Sequence, residues 1–277
     1  MKRQHQKGAL MHKCKQFEHA YSPKISILTP SYNQGNYLEE NILSILNQNY
    51  KNVEHIIIDG GSTDNTITVL KKYPHLKWVS EKDGGQADAL NKGLALATGD
   101  IIGWINSDDY YLNNIFLTVV NLFANKNVQW IVGNTLSCSE FGTQRTENHV
   151  EKITVESLLK NPDIVKQQGA FYRREAIAQV GGWNANLFMV MDYDLWIRLS
   201  SFSKPLMLPK PLGCFRVTQN QKTSLRNARR QLQEIDNILK LHRASFINRV
   251  RVRLNKELCI CIMHLKLLYS KLMRFTE

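Results

Sequence analysis

Nowhere in the 277 residues is there a run of the ~18 uninterrupted apolar side chains that a membrane-spanning helix needs. Glycine and proline are sparse, at 15 and seven, which excludes collagen-like and low-complexity chains. Cysteine is scarcer still: Cys14, Cys138, Cys214, Cys259 and Cys261 are odd in number and scattered. The one close pair, Cys259-x-Cys261, lies in an apolar helical stretch without a companion His or Cys at zinc spacing. No zinc site or disulfide framework is expected, and all five are read as core or surface thiols. The first 23 residues are basic but lack the apolar run and small-residue cleavage site of a secretory signal, so a cytoplasmic protein is expected.

What is present is an ordinary globular composition, 43% hydrophobic and 22% charged, long enough for one large core with an appended element. The net charge of +12 is unevenly distributed. Residues 1–24 carry six basic and one acidic side chain, residues 25–221 carry 17 and 19, and residues 222–277 carry 13 and four. Two basic ends thus flank a near-neutral middle. Such ends suit anionic headgroups, nucleic acid or an acidic partner, or serve solubility alone. Aromatic-basic interleaving, zinc fingers and helix-turn-helix patterns are missing, so no nucleic-acid partner is expected.

From Lys24 onward, strand-like apolar runs alternate with helix-like segments, which predicts a mostly parallel sheet covered by helices. Strands are predicted over 24–30, 53–59, around Trp78, and over 101–105 and 129–133. Helices are predicted over 36–48, 87–97 and 113–125, and Thr63 or Asp64 is expected to cap a helix after the Gly60-Gly61 turn. Beyond Ser224 the pattern changes. Ala228 to Leu239 reads as one amphipathic helix, and Ile247, Val250, Leu254, Leu258, Cys261, Leu265, Leu268 and Leu272 continue at three- and four-residue steps among basic neighbours. That segment suits an anionic membrane surface, pairing with a second copy, or packing as a helical hairpin on its own domain.

Three predicted strands end in polar, Gly-rich or acidic loops, and the carboxyl ends of parallel strands form ligand crevices. Asn106-Ser107-Asp108-Asp109 places adjacent carboxylates at one such end, a pattern that suits Mg²⁺ or Mn²⁺ shared with substrate phosphates; a helix N-cap is the plain alternative. Asp59-Gly60-Gly61-Ser62-Thr63-Asp64 is a loop that approaches a ligand or merely a tight turn. Tyr32, just after the first strand, offers a ring for stacking on a nucleobase.

Taken in order, Pro30-Ser31-Tyr32-Asn33, Asp59 to Thr66, Asp83-Gly84-Gly85-Gln86 through Asn91-Lys92-Gly93, Gly99-Asp100 and Asn106-Ser107-Asp108-Asp109 resemble the family-2 glycosyltransferases with the GT-A fold. The resemblance runs from Lys24 to Ser224. It implies an α/β architecture with a Rossmann-like, mostly parallel central sheet flanked by helices, followed by an α-helical C-terminal extension. The chain then divides into a basic tail (1–23), a transferase domain with a nucleotide-sugar half (24–134) and an acceptor half (135–224), and a basic amphipathic extension (225–277).

The resemblance further implies that Pro30 and Tyr32 line the nucleobase pocket, with Ser31 and Asn33 beside them. Asp59, next to Gly60, would accept a hydrogen bond from the base, while Asp83, Gly85, Gln86 and Asn91 would close around nucleotide and sugar. The family's D-x-D motif maps to Asn106-x-Asp108, where Asn106 hydrogen-bonds without bringing charge. The metal is expected on Asp108, with Asp109 as helper. Gln168, Gly169, Trp183, Asp194 and Trp196 look like the acceptor side, and Asp192 matches the base that deprotonates the acceptor hydroxyl. Met191 precedes it where the family often has an acid, and Thr218 stands where a His often follows Phe-Arg-x, leaving Arg216 and Lys222 as diphosphate partners.

The implied protein is an inverting glycosyltransferase moving a sugar from a nucleotide-sugar, expected to be a UDP-sugar, to a hydroxyl of a carbohydrate or lipid-linked acceptor in cell-surface polysaccharide synthesis. It would use Mn²⁺ or Mg²⁺ and sit in the cytoplasm, with residues 226–277 touching the inner membrane face or a second copy. The departures at Asn106, Met191 and Thr218 motivate one alternative, a nucleotide-binding scaffold of the same fold without activity.

Overall fold

The computed structural model describes residues 22–139, 144–147, 152–218, 221–223 and 225–274. The elements run β1 (Ile25–Ser31), α1 (Gly35–Leu46), β2 (Val53–Asp59), α2 (Thr66–Lys71), β3 (Lys77–Ser80), α3 (Gln86–Leu96), β4 (Ile101–Trp104), β5 (Tyr110–Tyr111) and α4 (Phe116–Phe123). They continue with β6 (Trp130–Ser139), β7 (Gln144–Glu147), α5 (Val155–Lys160), β8 (Ala170–Arg173), α6 (Arg174–Gln179), α7 (Met191–Ser200), β9 (Leu206–Val217), α8 (Ala228–Leu241) and α9 (Phe246–Arg274). All belong to a mixed α/β fold built on one sheet of order β3-β2-β1-β4-β8-β6-β9-β5, with β7 beside β6.

Four strands on one side, β3, β2, β1 and β4, are parallel. β8 then runs antiparallel to both β4 and β6. The inner strands β1, β2 and β4 are buried and mostly apolar on both faces because helices cover both, while β3 at the edge is partly exposed. Leu28, Ile56, Ile58, Ile102 and Trp104 point into a core under α3, α7 and α8. Ile25, Ile27 and Ile101 point into a second core with Phe116, Val119 and Phe123 of α4. The alternation of neighbouring residues between the two sides is the two-residue period of a strand.

The carboxyl ends of β1, β2 and β4 open together, and the loops after them are held by specific polar contacts. Asp64 does not cap α2 as its N-cap residue, a position that falls to Asn65. Its carboxylate accepts the N–H groups of Gly35 and Thr66, each at 3.0 Å, and so ties the starts of α1 and α2 to one anion. Asn33, at φ 53°, accepts the Thr63 N–H at 2.8 Å and donates its own N–H to Ser62 Oγ at 2.7 Å.

The cysteine expectation is corrected in part. Cys138 of β6 and Cys214 of β9 form a disulfide, brought together by strand pairing across 76 residues of sequence that carry no spacing signal. Cys259 and Cys261 are free and exposed, and Cys14 lies outside the described residues. Among the described residues no helix is long and apolar enough to cross a membrane. Ile235, Ile238 and Leu239 of α8 and Val252 of α9 enter the core that also holds α3 and α7, so the first part of the C-terminal segment packs on the sheet domain.

Candidate active site

A pocket of about 880 Å³ opens over the ends of β1, β2 and β4. Pro30, Ser31, Tyr32 and Gly60 form one wall, and Asp83, Gly85 and Gln86 come from the loop into α3 and its first residue. Asn106 and Asp108 stand at the end of β4, and Gln168, Asp192 and Trp196 face them from the other half of the chain. With Lys222, thirteen residues expected at the site from sequence therefore share one cavity. Gly85 at φ +111° is the N-cap position of α3, a conformation that any side chain would strain.

Asn106 is the junction of this pocket. Its Oδ1 accepts Gln86 Nε2 at 2.6 Å and Trp104 Nε1 at 2.9 Å, and its Nδ2 donates to Asp109 Oδ2 at 3.3 Å. A carboxylate here would keep the first two bonds and lose the third. Asp108 lines the pocket, where burial raises its carboxyl above the usual range and the nearby Arg216 opposes this.

Asp109 is placed differently from the expectation of a metal helper. It is 1% exposed and does not line the pocket. Its Oδ1 accepts the Arg216 N–H at 2.9 Å, and its Oδ2 accepts Gln168 Nε2 at 2.7 Å. Burial first, then the Asp108 charge, raises this carboxyl above the usual range. Consecutive residues point to opposite sides of the chain here, so only one of the two carboxylates faces the pocket.

Arg216 is likewise turned away. Its Nε donates to the Asp108 carbonyl at 2.9 Å, it pairs with Glu40, and its guanidinium lies over the rings of Tyr37 and Tyr110. Lys222 does enter the pocket: its Nζ donates to Gln86 Oε1 at 2.9 Å and stands 4.3 Å from the Phe188 ring. Burial lowers its pKa to about 8, against the favourable charge of Asp192. Lys82 and Lys166 also line the pocket and were not singled out in the sequence, because isolated lysines outside any motif carry no signal.

Asp192 is the second residue of α7, with its Oδ1 accepting the Tyr193 N–H at 2.8 Å. Burial raises its carboxyl to about 6, while Lys222 pulls it down and Asp163 pushes it up. Asp194, two residues on, points elsewhere and is paired with Arg198 at 2.7 Å, away from the pocket. Trp196 Nε1 donates to the Tyr172 hydroxyl at 2.9 Å.

Four further expected residues support the pocket without lining it. Asp59 is fully buried, and its carboxylate receives the Gly61 and Ser62 N–H groups and the Ser80 hydroxyl, which fixes the Gly60–Ser62 turn from beneath. Asn91 and Trp183 exchange two hydrogen bonds, at 2.7 and 2.9 Å, and Trp183 meets Trp104 edge to face at 5.8 Å. Gly169 has no room for a side chain, since a Cβ would come within 2.2 Å of the Gly133 carbonyl oxygen.

Among the described residues no group of three His, Cys, Asp or Glu side chains converges as a metal cage. Asp108 is the carboxylate at the expected metal position that faces the pocket. That suits a hard divalent cation held by one carboxylate and completed by phosphate oxygens and water. Ser31 Oγ, Gln34 Oε1, Thr135 Oγ1 and Gln167 Oε1 are buried, lack hydrogen-bond partners and line the same pocket, leaving polar atoms for a ligand to satisfy.

Comparison with known proteins agrees with this architecture. The model of the family "Glycosyl transferase family 2" matches residues 26–181. An uncharacterised glycosyltransferase of Rickettsia typhi is 29% identical over 228 residues, covering 79% of this chain and 71% of the relative. The chondroitin synthase of Pasteurella multocida is 29% identical over 74% of this chain, which spans 22% of that enzyme. Among solved structures, S. aureus TarS 1-349 in complex with UDP-GlcNAc matches at 18% identity and a TM-score of 0.61, over 78% of this chain and 66% of that one. The mannosyltransferase PcManGT from Pyrobaculum calidifontis, in complex with GDP-Man and Mn²⁺, matches at 20% identity and a TM-score of 0.60, over 87% of this chain and 70% of that one. The chain spans 43% of the longer TarS structure. These structural neighbours share the GT-A fold, and the match over more than half the sequence shows that this glycosyltransferase belongs to glycosyl transferase family 2.

Proposed function

We propose that the protein transfers a sugar, with inversion at the anomeric carbon, from a UDP-sugar to a hydroxyl of a carbohydrate or lipid-linked acceptor in cell-surface polysaccharide synthesis. One observation carries this reading: Asp108 and Asp192, from the two halves of the chain, line a single pocket of about 880 Å³. Such a volume fits a nucleotide-sugar with room for an acceptor hydroxyl. Tyr32, 61% exposed at the pocket wall, offers a ring for the base, and Asp108 a carboxylate near the diphosphate.

In the step itself, the Asp192 carboxylate takes the proton of the acceptor hydroxyl as that oxygen bonds to the anomeric carbon. The bond from that carbon to the diphosphate oxygen breaks, and the nucleoside diphosphate leaves with the electron pair. A carboxyl held near 6 is ionised at neutral pH yet basic enough to assist. Lys222 faces the growing negative charge as a half-buried cation. Asp108 would hold Mn²⁺ or Mg²⁺, which when bound supplies further positive charge to the diphosphate. The basic segment 226–277 supports a seat at an anionic inner membrane face.

Thermal stabilisation of the protein by UDP, GDP, TDP and CDP, with and without Mn²⁺, is the test of the donor site. UDP is expected to give the largest shift, and transfer from UDP-sugars is then measured. A shift without transfer to any acceptor favours the scaffold reading, for which Asn106 and Thr218 speak. No shift with any nucleotide removes the proposal.

A further inference from the structure

A second cavity of about 620 Å³ lies in the cleft between α8 and α9. Its floor is apolar: Ile235, Leu239 and Val252 are each at most 2% exposed, and Leu232 and Ile260 stand above them. Its rim is guanidinium-rich, with Arg229, Arg249 and Arg253. Arg249 is paired with Asp236 at 3.3 Å and Arg253 with Glu257 at 2.9 Å; no ion pair forms at Arg229 among the described residues. The cleft therefore keeps a net positive rim over an apolar floor.

α8 is the wall between this cleft and the catalytic pocket. Ile235 lines both cavities, and Gln231 faces the pocket while its neighbours Leu232 and Gln233 face the cleft. α9 is fastened to the pocket rim as well, since Lys256 pairs with Asp163, a pocket-lining residue, at 2.6 Å. Along α9, Leu254, Leu258 and Leu265 are each at least 60% exposed. Over residues 246–274 the chain has seven basic side chains against Glu257 alone. Two copies of this helix would repel, and an uncharged sugar gains nothing from an apolar floor.

We infer that the α8–α9 cleft binds an anionic lipid, with acyl or isoprenoid chain on the apolar floor and phosphate at the arginine rim. This rests on the reading of the neighbouring pocket as a transferase site, to which the cleft would bring a membrane-borne acceptor.

The test uses the full chain with short-chain phosphatidic acid, the diacylglycerol and phosphatidylcholine of the same chain length, and inorganic phosphate, followed by calorimetry. Phosphatidic acid is expected to bind at least tenfold tighter than the other three. R229Q is expected to weaken it about tenfold, and I260E to abolish it. Both variants are checked for UDP stabilisation, which is expected to match that of the parent. Phosphatidic acid affinity equal to that of phosphatidylcholine or of inorganic phosphate overturns the inference, as does unchanged binding by both variants. A concentration-dependent dimer that I260E dissolves also overturns it, in favour of a second copy. Failure of the parent to bind any nucleotide counts against the donor pocket, and the lipid arm is read independently of it.

Discussion

The Glu234 carboxylate of α8 receives the Met189 N–H at 2.7 Å, and its other oxygen receives the Phe188 N–H at 3.1 Å. Arg230 pairs with the same carboxylate at 3.1 Å and lies 4.0 Å from the Phe188 ring. A residue beyond the transferase motifs thus fixes the loop that enters α7 and carries Asp192 into the pocket.

Glu234→Ala leaves both N–H groups without their charged acceptor. Each such loss costs about 1–3 kcal/mol, so urea unfolding is expected to report a loss of roughly 2–6 kcal/mol. Because the loop also sets the position of Asp192, kcat is expected to fall about tenfold with the donor KM nearly unchanged. A stability loss with intact kcat would make Glu234 purely a structural tie.

Asp192 gives a pH signature with a defined sign. Its folded pKa of about 6 lies above the ordinary 3.8, so between these values the folded state holds a proton that the unfolded state has released. Its contribution is most favourable below pH ~4, declines as pH rises, and is fully lost above about 6. Asp192→Asn is expected to flatten stability across that window and to raise it at pH 7 by up to about 3 kcal/mol, as urea unfolding at several pH values will report. The rate of transfer should follow the opposite course, climbing through pH ~6 as the base ionises, and the Asn variant should lose at least 100-fold in kcat. Near-normal transfer by that variant would take the base role from Asp192.

Much of the framework is readable in the sequence because strands buried between helix layers are mostly apolar. Val53 to Asp59 begins and ends as predicted. β6 runs past the expected end at Gly133, because its second half, Asn134 to Ser139, is mostly polar and is held by pairing with β9 and β7. The helix expected over 113–125 occupies Phe116–Phe123, because Asn114 takes φ 59° and turns the chain before it. Motif order was enough to gather Tyr32, Gln86, Asn106, Asp108 and Asp192 around one cavity. It gave no direction for individual side chains: Asp109 and Arg216 turn away because pairing of β9 with β5 lays Arg216 against the 108–109 backbone and carboxylate, a long-range event that no local pattern encodes.

Lys222 and Arg216 separate cleanly in solution. Lys222→Gln is expected to weaken UDP binding about 10- to 100-fold, the worth of a charge-assisted bond of ~1.4–3 kcal/mol, with uridine binding unchanged. Arg216→Gln should instead lower Tm, through the lost contacts to Asp108 and Glu40, while the UDP affinity of the folded protein holds. Calorimetry with UDP and uridine on both variants checks the pair. Equal UDP affinity in Lys222→Gln and the parent would leave the diphosphate to other groups.

Asn106 sets how strongly the site calls for a metal. Asn106→Asp keeps an oxygen for Gln86 and Trp104 but replaces the N–H that reaches Asp109 Oδ2 at 3.3 Å with a second acceptor. In chelator the variant is expected to lose about 1–2 kcal/mol of stability, a fall in Tm of roughly 2–6 °C for a chain of this size. Mn²⁺ should restore much of that loss, because a divalent cation between two acidic side chains offsets their repulsion. The parent, with its neutral Asn106, should gain less from Mn²⁺ alone and need UDP present for the full effect, since the diphosphate then supplies the missing oxygens. Parallel melting curves for parent and variant, with chelator, Mn²⁺ and Mn²⁺ plus UDP, decide the matter. A variant no more responsive to Mn²⁺ than the parent would mean that position 106 does not reach the cation, and that Asp108 with the diphosphate makes up the whole site.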